Sequence, residues 1–358
     1  MVLNSHKLLV SAILAAAVAA TAAPATAKTL DITVAAAPPP AVTFVSAFKD
    51  IVVPKIDERL KASGQDFEIK WNHAYSQTLA KFPEVFEAVE QGIAGAGLIL
   101  KNFEPSTLPL EAYVAHVPFV STTRSQLVEI DATLREKIPA LNEAYAKHNQ
   151  VFIASGTDDS MQMYTKFPLQ KFEDLDGRKL GSSGSLGVWL QGTGAVTVNS
   201  SMNQSFTNIK NGVYEGYPIS EILSFVYKTW SAAPYFTKVD FGPSVTSAIT
   251  FNADTWKSIP SFAQKIIREE AANWVTYMQD IDDKKRAKFI AIMAEGGVKS
   301  SVLPPEERKR WAMAMPNVAM EWAARQDERG LPGTELLKTY LAELKARNVE
   351  LARDWGQK

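Results

Sequence analysis

The chain has 358 residues, 46% hydrophobic and 22% charged, an ordinary composition for one large or two medium globular domains. Its 38 basic and 39 acidic residues leave a formal net charge of -1, so no charge excess points to nucleic acid or to an anionic membrane surface. There is no cysteine, which excludes thiol catalysis, disulfide scaffolds and cysteine-ligated metals.

The N-terminus comes first in chain order. Lys7 precedes an Ala-rich apolar run from Leu8 to Ala23, and Ala25-Thr26-Ala27 supplies a small-x-small triplet. This predicts a secretory signal peptide over residues 1–27, too short and too well furnished with a cleavage site for a spanning helix, and hence export. Leu30 to Val34 then reads as a strand and Val45 to Leu60 as an amphipathic helix kinked at Pro54. Phe67 to Trp71 alternates like a strand, Phe82 to Gln91 is helical up to the Gly92 cap, and Gly97 to Leu100 is a short buried strand. Ser125 to His148 reads as one long helix, followed by a strand at Val151 to Ala154. This alternation predicts an α/β unit with largely parallel strands under helices.

A second set begins at Met161 to Thr165, with strands expected at Arg178–Leu180, Ala195–Val198 and Val213–Glu215 and short helices around Leu186 to Gln191 and Gln204 to Lys210. Val245 to Phe251 is β-rich. Ser261 to Glu295 carries the longest helical pattern, opened by Pro260 and stopped by Gly296-Gly297; at about 1.5 Å per residue it spans roughly 50 Å, enough to tie two domains together. The remainder is helical, punctuated by Pro316 and by Gly330-Leu331-Pro332-Gly333. The fold expected is α/β: two lobes with crossing connections and a long helix spanning both. Lobe I covers residues 28–152 with a returning segment at about 240–260, lobe II residues 153–239, the spanning helix 261–295 and C-terminal helices 296–358. Ligands of such folds sit at strand ends in the cleft between halves.

No nucleophile stands with a plausible base, and no metal set is spaced for coordination, since only His73, His116 and His148 follow the leader. The reading is a non-enzyme without cofactor or metal. One stretch at a strand end is unusual. In "DLDGRKLGSSGS", Asp174 to Ser185, the strand runs into Gly181, Ser182, Ser183 and Gly184, which leaves the backbone bare. Either something approaches closely or a larger side chain is missing.

Five segments in order resemble the TRAP-transporter solute-binding proteins, the DctP-type periplasmic receptors. They are "FEAVEQGIAGAG" (Phe86 to Gly97), "HVPFVST" (His116 to Thr122), "KFEDLDGRKLG" (Lys171 to Gly181), "GAVTVNSSMNQSFTNIKNGVYEG" (Gly194 to Gly216) and "FNADTWKSIP" (Phe251 to Pro260). The resemblance implies two hinged α/β lobes that close over one small organic solute in the periplasm and deliver it to a TRAP-type, ion-driven membrane permease. It also places the family's carboxylate-clamping arginine at Gly181 and its second arginine at Met161, beside Gln162. Its ligand-packing aromatic falls at Met202 and a further polar or aromatic position near Tyr217 to Ile219. The first-domain loop that reaches the cleft is at Tyr75, with His73 close by. Ser182 adjoins the vacated clamp.

An unpaired carboxylate is costly to desolvate, so losing both arginines argues against the family's usual monocarboxylate mode. Asp158, Asp159 and Glu221 lie close in sequence and suit an amine, and the methionines suit an apolar or adaptable pocket. The ligand expected is therefore an amine, a neutral compound or a largely apolar one. Two alternatives stay open: an organic acid held by a displaced cation such as Arg178 or Lys179, and an exported carrier of an apolar or aromatic compound. The plainer readings are that Met161 and Met163 fill a core, that Met202 packs a helix, that His73 is structural and that the acidic pair is a solvated loop.

Overall fold

Period-two alternation and β-branched residues build the first sheet. The computed structural model describes residues 28–357, so the expected signal peptide lies outside the described residues. In this sheet five strands run in the order Phe67–Ala74, Lys28–Ala35, Ala96–Leu100, Ser244–Asn252 and Gln150–Asp158. The first three are parallel. The returning strand Ser244–Asn252 is antiparallel to both of its neighbours, so the sheet is mixed rather than largely parallel. Its strand Gln150–Asp158 stays in this sheet to the last residue, which puts the passage to the second lobe after Asp158 and not at residue 153.

The second lobe holds a four-stranded sheet in the order Lys299–Val302, Tyr235–Lys238, Gln162–Thr165 and Gly216–Ile219. A parallel pair, Lys179–Ser182 with Val196–Asn199, lies beside it, joined where Glu215 N donates to Lys179 O at 2.7 Å. The C-terminal part thus lends a strand to lobe II. The strand expected at Val213–Glu215 begins instead at Gly216, because Asn211-Gly212 forms the turn and Val213 is exposed.

Prolines set several helix ends. The expected helix over Val45 to Leu60 is a helix at Thr43–Ala47, a π turn at Phe48–Val52 and a helix at Val53–Ala62. Pro54 has no N–H to donate to the carbonyl four residues back, and the widened turn absorbs the mismatch. The long helix expected from Ser125 to His148 is two, Arg124–Lys137 and Ala140–Ala146, separated at Ile138-Pro139. The spanning helix is likewise two: Ser261–Ala272 and Trp274–Glu295 meet at Asn273, whose φ of -86° and ψ of -2° leave the helical ladder while its side chain donates to Glu269 O.

The second of these helices ties the lobes. At its start Trp274 Nε1 donates to Phe44 O (2.9 Å) in lobe I. Towards its end Phe289 stacks on Phe225 with centroids 3.8 Å apart, and Met293 takes a contact from Tyr164 Oη. The C-terminal helices Pro305–Ala314, Val318–Glu328 and Gly333–Ala346 pack as a third layer, with Trp311 and Trp355 fully buried.

Candidate functional site

The lobes face each other across a cavity of about 410 Å³ of space free of atoms, part of it open to solvent. Lobe I supplies Phe44, Phe82, Phe103 and Asp158, among others, and lobe II supplies Ser183, Met202, Leu223 and Tyr227. Two smaller chambers adjoin it. One shares Asn102 and Thr246 with it, the other Phe44, Asp158 and Leu223. The lobes touch at the rim of the main cavity, where Asn102 Nδ2 donates to Ser183 Oγ at 3.1 Å.

The charged groups of this region are paired, with one exception among the described residues. Arg124 donates to Asp282 Oδ2 (2.7 Å) and to Thr157 O (2.9 Å), and lies 3.7 Å from Asp159 Oδ1. Arg286, on the spanning helix, binds Asp159 Oδ2 (2.5 Å) and Glu221 Oε2 (2.9 Å), so both acids expected to meet a ligand already hold a guanidinium. Asp158 differs. Its Oδ2 accepts from Thr246 Oγ1 at 2.5 Å, and it forms no ion pair among the described residues. Burial pushes its pKa up to about 6, against the opposing pull of Thr246 and Arg124. Asp158 is the last residue of its strand and Asp159 the first residue after it; both line a side chamber, but Asp158 also borders the main cavity while Asp159 turns to Arg286.

The bare stretch at the strand end has two causes. A Cβ on Gly181 would lie 2.5 Å from the ring of Tyr214 and 2.7 Å from that of Tyr217. The space beside Gly181 is therefore occupied by two tyrosines, whose hydroxyls are held by Ser200 Oγ (3.0 Å) and Ser200 O (2.5 Å). At Gly184, φ is +52° and a Cβ would come within 2.2 Å of Asn102 O, so a glycine permits the approach of lobe I.

The remaining expected residues fall as follows. Met202 lines the cavity. Met161 and Met163 are fully buried in the core. Gln162 is committed to the loop at Val239 and Asp240. Tyr217 is buried behind Gly181, and Ser182 is buried while Ser183 takes the place at the cavity. His73 and Tyr75 bind each other, Nδ1 to Oη, at 2.7 Å, but neither is among the residues lining the cavity; burial and then Lys49 hold His73 below its ordinary pKa. Arg178 faces away, paired to Glu215 at 3.0 Å and stacked on Phe167. Lys179 is exposed. Sequence reasoning missed the aromatic lining of Phe44, Phe82, Phe103 and Tyr227, which come from four separate segments with no shared motif. It missed Arg286 too, which reads as one more charge in a solvated helix face.

Among the described residues there is no cluster fit for a metal and no helix long and apolar enough to cross a membrane. No curated protein matches the sequence. Three solved structures illustrate the fold. A TRAP periplasmic solute-binding protein from Desulfovibrio salexigens with bound orotic acid is 18% identical, with a TM-score of 0.77 over 88% of this chain and 99% of that one. One from Rhodoferax ferrireducens, in complex with copurified benzoate, is 15% identical, with a TM-score of 0.77 over 89% and 98%. A Bordetella pertussis extracytoplasmic solute receptor binding pyroglutamic acid is 19% identical, with a TM-score of 0.74 over 87% and 99%. All three share the two lobes and the cleft, and residues 60–326 match the family described as bacterial extracellular solute-binding protein, family 7: the chain belongs to this DctP family of substrate-binding receptors, which are not enzymes.

Proposed function

We propose that the protein, freed of residues 1–27, is a periplasmic receptor. It captures one small organic solute in the inter-lobe cavity, closes over it and presents it to a TRAP-type, ion-driven permease. The solute is an amine, a neutral compound or a largely apolar one rather than a simple carboxylate. The observation that carries this is the lining: no arginine or lysine is among the residues of the main cavity. The cations nearby are matched to acids. Lys101 borders one side chamber but donates to Glu111 Oε2 (2.8 Å) and Ser155 Oγ (2.9 Å). A small carboxylate entering the cavity would lack a free counter-charge and would meet Asp158.

Thermal-shift measurements on the mature protein with organic acids, amines, polyols and aromatics test this, since a ligand stabilises the folded state by RT ln(1 + [L]/Kd). A rise with amines or neutral compounds is expected, together with compaction in small-angle scattering. A small carboxylate that binds tightest overturns the ligand class, and an unchanged radius at saturating ligand overturns capture by closure.

Closure itself makes a prediction at Gly184. Gly184→Ala is expected to weaken the tightest ligand by about tenfold or more, because the added Cβ opposes the Asn102 carbonyl only when the lobes are shut. The unliganded protein is expected to lose only about 1 kcal/mol, the cost of placing a side chain at positive φ. Calorimetry gives the first quantity and urea unfolding the second; equal ligand affinity in the variant would show that the glycine does not gate closure.

A further inference from the structure

Resting on the receptor reading, we propose that the cavity receives an organic ammonium ion, a primary amine on an aromatic or aliphatic body without a carboxylate, with its charge set against Asp158. Three independent features point there.

The first is the state of the Asp158 carboxylate. One oxygen is engaged by Thr246, while the other makes no hydrogen bond among the described residues, and the group lines both the main cavity and a side chamber. An ammonium has three donors and a compact charge, and satisfies an open carboxylate oxygen at the wall of an apolar cavity.

The second is the charge around it. Four carboxylates, those of Asp158, Asp159, Asp282 and Glu221, meet only two guanidiniums, those of Arg124 and Arg286. The guanidiniums are aimed at the other three acids, and Arg286 also lies 3.9 Å from Asp283, so the cluster is net negative and, among the described residues, Asp158 is its one acid without an ion pair. The groups that face it are Arg124, which favours its ionised form, Asp282 and Asp159, which oppose it, and the Tyr227 hydroxyl. An incoming cation supplies the counter-charge that the protein leaves out.

The third is the aromatic wall. Phe44, Phe82, Phe103 and Tyr227 line the same cavity, and no protein cation lies over any of these rings among the described residues. Aromatic faces beside an acid attract an organic cation and cover its carbon skeleton. An amino acid is a poorer fit, because its carboxylate finds no free arginine or lysine at the wall.

The experiment is calorimetry of the mature protein with benzylamine, phenethylamine and hexylamine, each beside its alcohol and carboxylate counterpart, in the wild type and in Asp158→Asn. The best amine is expected to bind the wild type at least about tenfold tighter than its alcohol, and the carboxylate least well. Asp158→Asn is expected to lose about tenfold or more for the amine and clearly less for the alcohol. The wild-type affinity for the amine is expected to fall as pH drops below about 6, where Asp158 takes up a proton, and the variant is expected to show no such fall. The folding control has a definite sign. The folded pKa of Asp158 stands above its unfolded value, so ionising it in the folded state costs stability as pH rises towards and past about 6. Asp158→Asn is therefore expected to melt no lower than the wild type at about pH 8.

Equal binding of amine and alcohol, an amine affinity that ignores Asp158→Asn, or a carboxylate that binds best each overturns the ammonium assignment. The first and third of these still leave a ligand-closing receptor. Failure of every amine, alcohol and acid also overturns it, and the broader solute screen then decides the receptor reading separately.

Discussion

Gly181→Arg is expected to destabilise the protein by at least about 3 kcal/mol and to bring no carboxylate binding with it. Gly181 stands where the family resemblance places a clamping arginine, so the substitution looks like a restoration. The geometry says otherwise: the first carbon of any side chain there collides with the rings of Tyr214 and Tyr217 before a guanidinium can be placed. Tyr214 is tied to Ser200 Oγ and Tyr217 to Ser200 O, so moving either ring disturbs the loop that leads to Met202. Gly181→Ala isolates the steric part and is expected to cost about 1–3 kcal/mol. Urea unfolding and calorimetry with benzoate and succinate check both halves. A well-folded Gly181→Arg protein that gains tight carboxylate binding would mean that the tyrosines yield and that the clamp was lost by one substitution alone.

Glu111→Ala is expected to cost about 3–5 kcal/mol, read from the same denaturation curves. Glu111 is the common acceptor of a buried cluster beneath the cleft. Lys101 Nζ lies 2.8 Å from one of its oxygens; Arg135 NH2, at 2.6 Å, and Tyr145 Oη, at 3.0 Å, share the other. All three charged side chains are almost wholly removed from solvent. Arg135 keeps Asp131 in the variant, at 2.8 Å, but Lys101 is left with Ser155 and with burial that already drives its pKa down. The intact cluster balances two cations with two acids, so removing one acid strands a buried positive charge. Because Lys101 borders a side chamber of the cleft, the loss would reach the binding region as well as the core. A variant as stable as the wild type would show that Lys101 simply becomes neutral at little cost.

The elements legible in the sequence are those governed by local rules. Strand alternation located Lys28–Ala35 and Phe67–Ala74, and Gly92 marked the end of the helix before it. Where expectation and structure part, a single residue usually explains the difference. Pro139 divides the helix expected from Ser125 to His148, and Asn273 interrupts the one expected from Ser261 to Glu295. A periodicity of apolar residues does not record either interruption.

The site was less legible. Asp159 and Glu221 looked free because their partner, Arg286, is 127 and 65 residues away in sequence. Asp158 and Asp159 look alike in sequence, yet one borders an apolar cavity and the other holds a guanidinium, a difference made by what packs against each. The four aromatic residues of the cavity wall lie on four separate segments, three in lobe I and one in lobe II, and only the fold makes them neighbours.

What the sequence by itself determined is the family and the α/β order, because these are properties of local pattern and of motif order. What only the tertiary structure decided is what fills the space at Gly181 and which acid is left without an ion pair. Tyr214 and Tyr217 fill the space at Gly181, and Arg124 and Arg286 pair with Asp282, Asp159 and Glu221 but not with Asp158. Both answers depend on side chains brought together from distant parts of the chain. Exclusion of volume and pairing of charge act through space, and the order of residues along the backbone carries neither.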